Sequence, residues 1–322
     1  MTNDTPRGPR IASLGGGHGL YRTLEAARRV GAAAITAIVT VADDGGSSGR
    51  IRRELGSAPP GDLRMALVAL TSGEEPRRAL WARLLQRRFG GHGALAGHAV
   101  GNLILAGLAE ELGSMQAALD EAARALDARG RVVPVVDAPL DIEADVCGLG
   151  GDPRIMRLVR GQVAVASTPG QVRRVRIVPD DPTPNPEALR AIRDADLVTI
   201  GPGSWFSSVI PHLLVPGVVD ALAETNAVKV VVVNLAGEPG ETQDFSTERH
   251  IHMLRQQAPD IRADYVLVDP SAIPSEAERD NIRRAAAGIG ARLAVAPVRR
   301  GTSAAHDPEA LARALAEALR GS

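Results

Sequence analysis

Residues 10–41 set the architecture. The apolar segment "RIASLG" runs straight into the glycine turn "GGHG", and behind it Leu20, Leu24, Ala27 and Val30 recur at helical spacing. The next segment, "AITAIVTV" at 34–41, is an unbroken apolar, β-branched run, the pattern of a strand covered on both faces. Strand, helix and buried strand in that order make a β-α-β opening, which commits the chain to a layered α/β fold.

The same alternation returns after the proline-rich "PDDPTPNPEAL", with "LVTIG", "VVDALAETN", "KVVVVNLA", "STERHIHMLRQQ", "YVLVD", "SEAERDNIRRAAA", "RLAVAP" and "PEALARALAEAL" in succession. A doubly wound, mostly parallel, Rossmann-like sheet is therefore expected. Residues 59–72 and 98–128 are predicted helical, the second stretch interrupted near "LGS" at 112–114, with "GGHGALAG" at 90–97 as a loop before it. Between 131 and 183 the pattern shortens to "RVVPVV", "DIEADV", "QVAVAS" and "VRRVRIVP", separated by glycine and proline, which predicts a small antiparallel β insertion. The expectation is one α/β domain over 10–322 that carries a β-rich insertion at 131–183.

Composition narrows the classes of function. Lysine plus arginine number 37 against 38 acids, so nucleic acid and anionic membrane are poor default partners. Aromatic residues are only 2% of the chain, which leaves an aliphatic core and no stacking platform for single strands. Cys147 is the lone cysteine, so neither an intrachain disulfide nor a thiolate-rich zinc site can form. No apolar run reaches the ~20 residues of a membrane span, and the first ten residues lack an apolar signal core. A cytoplasmic protein is expected.

Two glycine turns stand where an open α/β sheet offers amides to an anion. "GGGHG" (Gly15, Gly16, Gly17, His18, Gly19) follows the first strand and opens a helix. It fails the dinucleotide fingerprint G-x-G-x-x-G, because the last position falls on Leu20 or Arg22, and it lacks the Gly-Lys-Ser/Thr of a Walker loop. A dinucleotide binder is correspondingly disfavoured, and a plain tight turn remains the alternative. "LVTIGPGSWFSSVIP" repeats the arrangement in the second half, with Gly201, Gly203, Ser204, Ser207 and Ser208 where a helix begins. The two turns could face each other across a crevice at a topological switch point.

At the end of the second strand, "VADDGGSSGR" sets Asp43 and Asp44 against Gly46, Ser47 and Ser48. Adjacent carboxylates repel a phosphate unless a divalent ion, a sugar hydroxyl or a base N–H intervenes, while the glycines and serines supply donors that a phosphate wants. A ligand with both kinds of group satisfies both halves; a solvated Asp-Gly turn is the alternative. In "PPGDLR" Asp62 can cap or bind and Arg64 can meet a phosphate. His98 and Asn102 in "GHAVGN" are spaced i and i+4 on a predicted helix, where a histidine can equally be a packing residue. Asn234 heads the polar segment "NLAGEPGETQDFS", which can line the same cleft. A G-x-S-x-G elbow is missing, and nothing nominates a base for Ser47, Ser48 or Ser204.

Taken in order, "GGGHGL", "TAIVTVADDGGSSGR", "PPGDLR", "GHAVGN", "ARGRVVP", "ADLVTIGPGSWFSS" and "PGET" resemble the YvcK family of gluconeogenesis factors, within the YvcK/CofD-like superfamily, over residues 10 to about 260. The resemblance implies a Rossmann-like fold and a UDP-sugar ligand such as UDP-N-acetylglucosamine. It also implies a regulatory role linking carbon metabolism to cell-wall synthesis and cell shape. By position, the glycines of the first turn would hold the diphosphate, and Asp43 and Asp44 would meet base, ribose or a magnesium ion. Asp62, Arg64, His98 and Asn102 would line the cleft, and Ser204, Ser207 and Ser208 would close it. Family patterns carry threonine where His18 stands and Tyr-Thr where Phe206-Ser207 stand. The related CofD branch, a magnesium-using 2-phospho-L-lactate transferase, supplies the alternative: an enzyme acting on a nucleotide-diphosphate substrate. An unidentified regulatory protein partner and a homo-oligomer are expected, with no cofactor beyond magnesium.

Overall fold

A computed structural model describes residues 8–71, 75–150, 152, 154–237, 242 and 245–321. Residues 238–241 and 243–244, which carry most of the "PGET" motif, lie outside the described residues. The first half runs β1 (Arg10–Gly15), α1 (Gly17–Val30), β2 (Ala34–Val39), α2 (Gly46–Leu55), α3 (Pro60–Leu70), α4 (Pro76–Gln86), α5 (Val100–Leu112), α6 (Met115–Ala125) and β3 (Arg131–Pro134). An insertion follows, made of β4 (Asp141–Cys147), β5 (Met156–Arg160), α7 (Gln162–Ala166) and β6 (Gln171–Val178). The second half continues with α8 (Pro186–Arg193), β7 (Leu197–Ile200), a π-helical turn (Trp205–Val209), α9 (Ile210–Leu214), α10 (Val218–Glu224) and β8 (Val228–Val232). It ends with α11 (Thr247–Gln257), β9 (Tyr265–Val268), α12 (Glu276–Ala287), β10 (Arg292–Val295) and α13 (Pro308–Arg320).

Seven parallel strands form one sheet in the order β10-β9-β8-β7-β1-β2-β3, and β5-β4-β6 form a separate antiparallel sheet. The expected doubly wound sheet with a small antiparallel addition is what the chain adopts. From β1 the chain builds outward through β2 and β3, then returns to lay β7 on the opposite side of β1 and build outward again. The direction of winding therefore reverses between β1 and β7. At such a switch point the loops leaving the two strands open in opposite directions and a crevice forms between them.

Three segments differ from the sequence reading. "RVVP" pairs parallel with β2, Thr36 opposite Arg131, so antiparallel pairing begins at 141 rather than 131. It is the edge strand of the parallel sheet, yet Val132 and Val133 are both buried, so its two faces are covered by the rest of the fold. "QVAVAS" is helical as α7 instead of extended: Gly161 turns with φ +96°, and the Asp44 carboxylate, 119 residues away in sequence, accepts from Val163 N at 2.9 Å. Helix α4 was not anticipated, although its start is marked locally: Pro76 stands at the first position and Glu75 accepts from Arg77 N and Arg78 N.

The core is aliphatic as composition requires, apart from Trp205 and Phe206, which are fully buried beside the second glycine turn. Trp205 stacks edge-on with His250 at 5.3 Å and donates Nε1–H to His250 O at 3.0 Å, while Phe206 meets Phe245 edge-on. These anchors fix the π-helical turn from behind. Among the described residues no single helix is long and apolar enough to cross a membrane; one bent pair, Trp205–Leu214 with Val218–Glu224, meets that test by length and composition only.

Close approach of backbones decides where glycine is required. A Cβ at Gly19 would lie 2.1 Å from Pro202 O, whereas one at Gly107, in the middle of α5, would meet nothing within 4 Å. Gly19→Ala is expected to lower unfolding stability by about 1–3 kcal/mol. Gly107→Ala should raise it by ~0.5–1 kcal/mol through helix propensity. Denaturant melts of the two variants check the opposite signs.

Candidate functional site

β1 and β7 are in register, with Leu14 opposite Ile200, so the turns that follow them leave the sheet side by side. Gly201 N donates to Leu14 O at 3.0 Å, and the Thr23 hydroxyl of α1 donates to Gly201 O at 3.3 Å. The second turn is held from its other side by Asn234, which accepts from Gly203 N at 2.9 Å and donates to Gly203 O at 2.8 Å. Gly201 and Gly203 have φ of +76° and +141°, conformations that a side chain would strain.

The two turns face one cavity of about 260 Å³. Gly16, Gly17, His18 and Gly19 line it from the first half, and Gly203, Ser204, Ser207 and Ser208 from the second. Asp43 and Asp62 complete the polar lining, together with two residues the sequence reading missed, Thr40 and Gln162. Thr40 follows β2, one more polar residue in an apolar run. Gln162 comes from the insertion, and no local signal marks it. The Thr40 hydroxyl is buried and, among the described residues, has no hydrogen-bond partner. Ser204 and Ser207 hydroxyls contact each other.

The acids sit where an anion would otherwise go. A Cβ at Gly16 would fall 2.4 Å from Asp62 Oδ2, so glycine is what admits that carboxylate to the N-terminus of α1. There it accepts from the Gly17 amide. Burial, reinforced by the negative charge of Asp43, nonetheless pushes the Asp62 carboxyl up to about 7, against the weaker opposing pull of Gly17 N–H and Arg64. Asp43 is folded onto its own turn, with Gly45 N donating to Oδ1 at 2.9 Å.

Several residues expected in the cleft lie outside its lining. Gly15 is the last residue of β1, packed behind Leu20 and Pro202. Gly46, Ser47 and Ser48 form the first turn of α2 rather than a loop. Asp44 is committed to α7 through Val163 N. His98 precedes α5 instead of sharing a helical face with Asn102, since Ala99 is the N-cap.

Ser47, His98, Asn102 and Arg64 nevertheless converge, as a buried polar brace. Ser47 Oγ accepts from Asn102 Nδ2 at 3.0 Å and from Ala99 N at 3.4 Å, and lies 3.0 Å from His98 Nδ1. With its lone pairs so used, the serine proton points to His98, which is therefore neutral; burial also lowers its pKa. Asn102 Oδ1 in turn accepts from Arg64 Nη1 at 2.7 Å. Burial lowers the Arg64 pKa to about 10, which leaves it cationic beside Asp62 and Asp43. The brace thus ties α2, α3 and α5 behind the acids.

Glycine amides and three serine hydroxyls are donors of the kind an anion takes, while Asp43 and Asp62 oppose a bare anion. Among the described residues no group of three or more His, Cys, Asp or Glu could hold a metal ion.

Comparison with known proteins agrees with the fold and the motifs. The family model described as 2-phospho-L-lactate transferase CofD matches residues 11–292. The chain is 58% identical over 307 residues to a Mycobacterium leprae protein provisionally named gluconeogenesis factor, covering 95% of this chain and 85% of that protein. It is 39% identical over 271 residues to the gluconeogenesis factor of Bacillus subtilis, covering 84% of this chain and 82% of that one. A crystal structure of a UPF0052 family protein from Bacillus halodurans superposes with a TM-score of 0.84 at 32% identity, covering 96% of this chain and 99% of that one. The chain belongs to the CofD-like family, in its YvcK or gluconeogenesis-factor branch.

Proposed function

We propose that this protein binds a nucleotide sugar of the UDP-N-acetylglucosamine kind and acts as a cytoplasmic regulator that leaves its ligand chemically unchanged. One observation carries the reading: two glycine turns, one from each half of the sheet, line a single cavity together with three serine hydroxyls. At about 260 Å³ the cavity is smaller than the ~300–1,000 Å³ of whole-ligand sites, which suits the diphosphate portion of a longer molecule. The names of the relatives support a connection with carbon metabolism. The family resemblance extends it to cell-wall synthesis and cell shape, through an unidentified protein partner and a homo-oligomeric state.

Magnesium fits this site through Asp43 and Asp62 rather than through the adjacent pair Asp43 and Asp44, because Asp44 is spent on α7. Mg²⁺ typically takes one or two carboxylates plus phosphate oxygens, and the raised Asp62 carboxyl marks charge that such an ion would balance. The match to the CofD model favours a second reading, a transferase acting on a nucleotide diphosphate with that ion. Incubation with UDP-N-acetylglucosamine, with and without Mg²⁺, separates the two. The regulator returns intact ligand after tight binding, and release of UDP or UMP establishes the transferase.

The protonation of Asp62 predicts a pH dependence. UDP-sugars are diphosphate diesters with no titration near neutrality, so a change comes from the protein. Without divalent cations, affinity should fall by up to about tenfold from pH 6 to pH 8 as Asp62 ionises, and Mg²⁺ should restore it at pH 8. Asp62→Asn should flatten both responses in calorimetric titrations. Stability follows the same sign. With a folded pKa above the free value of 3.8, Asp62 favours the folded state fully below about pH 4, and loses that contribution as pH rises through about 7. Asp62→Asn should therefore melt higher than the parent at pH 8 and gain little at pH 4.

A further inference from the structure

Helix α4 buries little of its own apolar surface. It is 11 residues long, and among its described residues only Leu85 is buried. Leu80, Trp81 and Leu84 are 56%, 40% and 37% exposed. A helix this short draws its stability from packing an apolar face, so three large side chains left in water call for a further surface to cover them. Beside them the helix walls a trough of about 730 Å³. Ile104 and Leu108 of α5 form the floor of the trough, and Ala122 and Leu126, on α6 and just after it, form the opposite wall.

Ridge and trough share one helix. Leu80 and Leu84, a turn apart, make a convex apolar ridge, while Trp81 and Leu85 line the trough next to it. A foreign helix needs only the trough, and a lipid surface only the ridge. A second copy of this chain, related by a two-fold axis, uses both at once, because each ridge enters the other copy's trough. Charge is divided in the same way. Residues 76–97 hold five arginines and no acid. Arg78 is paired with Asp127, whereas Arg77 and Arg83 make no ion pair among the described residues. Across the trough Glu121 stands on the rim, and Glu111 is exposed on α5, three residues beyond Leu108. A basic ridge and an acidic far wall on one surface complement each other when that surface meets its own copy. An anionic membrane drawn to the arginines would meet the acids as well.

We propose that α4 and the trough beside it are the surface through which two copies of this chain pair, with Leu80 and Leu84 of each seated in the trough of the other. The arginines of each ridge then face the glutamates of the other copy's far wall. The inference gives the homo-oligomeric state a location, and it does not depend on what the glycine-turn cavity binds.

Sedimentation velocity of the full chain across a wide range of protein concentration tests it. The parent should sediment as a dimer. Leu80→Asp places a charge on the ridge at a position already in water, and should raise the dimer dissociation constant about tenfold or more. Charge reversal gives a sharper readout. A variant carrying Arg77→Glu and Arg83→Glu is acidic on both sides of the contact, and one carrying Glu111→Arg and Glu121→Arg is basic on both. Each alone should be monomeric, and an equimolar mixture of the two should form a heterodimer, a recovery that a folding defect could not produce. A parent that stays monomeric at every concentration, whether or not it binds vesicles of anionic phospholipid, would overturn both the surface and the homo-oligomeric state. Oligomers that persist unchanged in Leu80→Asp and in both charge-reversed variants would overturn this surface alone.

Discussion

The contact between the backbone of Gly19 and that of Pro202 and Gly203 is the constraint on which the site depends. Strand order alone brings the turns after β1 and β7 next to each other, but it does not set their distance. Their separation is fixed by removing every side chain between them: a Cβ on Gly19 would strike both Pro202 O and Gly203 Cα. Around that point the fold supplies fixtures from three directions. Thr23 reaches over from α1, Asn234 clamps Gly203 from the end of β8, and Trp205 and Phe206 fill the core beneath. Two amide-rich turns that would each be a weak anion site are thereby made the two walls of one cavity.

That convergence creates an electrostatic problem, which the neighbouring residues manage without fully cancelling it. The N-terminus of α1 attracts a negative charge, and Asp62 of α3 provides one from within the protein. Asp43 stands close enough to repel it, and Arg64 offsets the pair from behind. Arg64 is itself positioned by Asn102, which is held by Ser47, which also engages His98. The brace therefore acts on the cavity through charge and position rather than by touching its contents. What results is a cavity in which two carboxylates stand against a set of amide and hydroxyl donors.

Much of this was readable in the chain. Unbroken runs such as "AITAIVTV" and "KVVVVNLA" announce strands buried on both faces, and a glycine turn directly after such a run marks where a sheet of this kind presents amides. Gly16 to Gly19 and Gly203 to Ser208 were therefore legible as candidates. The roles of Asp44, Ser47, His98, Asn102 and Arg64 were not, because small polar residues near a strand end look alike whether they meet a ligand or each other. Asp44 caps a helix 119 residues away, and Gln162 enters the cavity from that same insertion, so both depend on tertiary placement that no local pattern records. "QVAVAS" shows the converse: its alternation suggests a strand, and a distant carboxylate together with a glycine at positive φ makes it a helix.

The most direct measurement is a crystal structure of the full chain with UDP-N-acetylglucosamine bound. The account predicts both phosphates between the Gly16–Gly19 turn and the Ser204–Ser208 turn, with the Thr40 hydroxyl turned toward one of them. Phosphates bound anywhere outside that space, with the two turns and Thr40 left untouched, would contradict it.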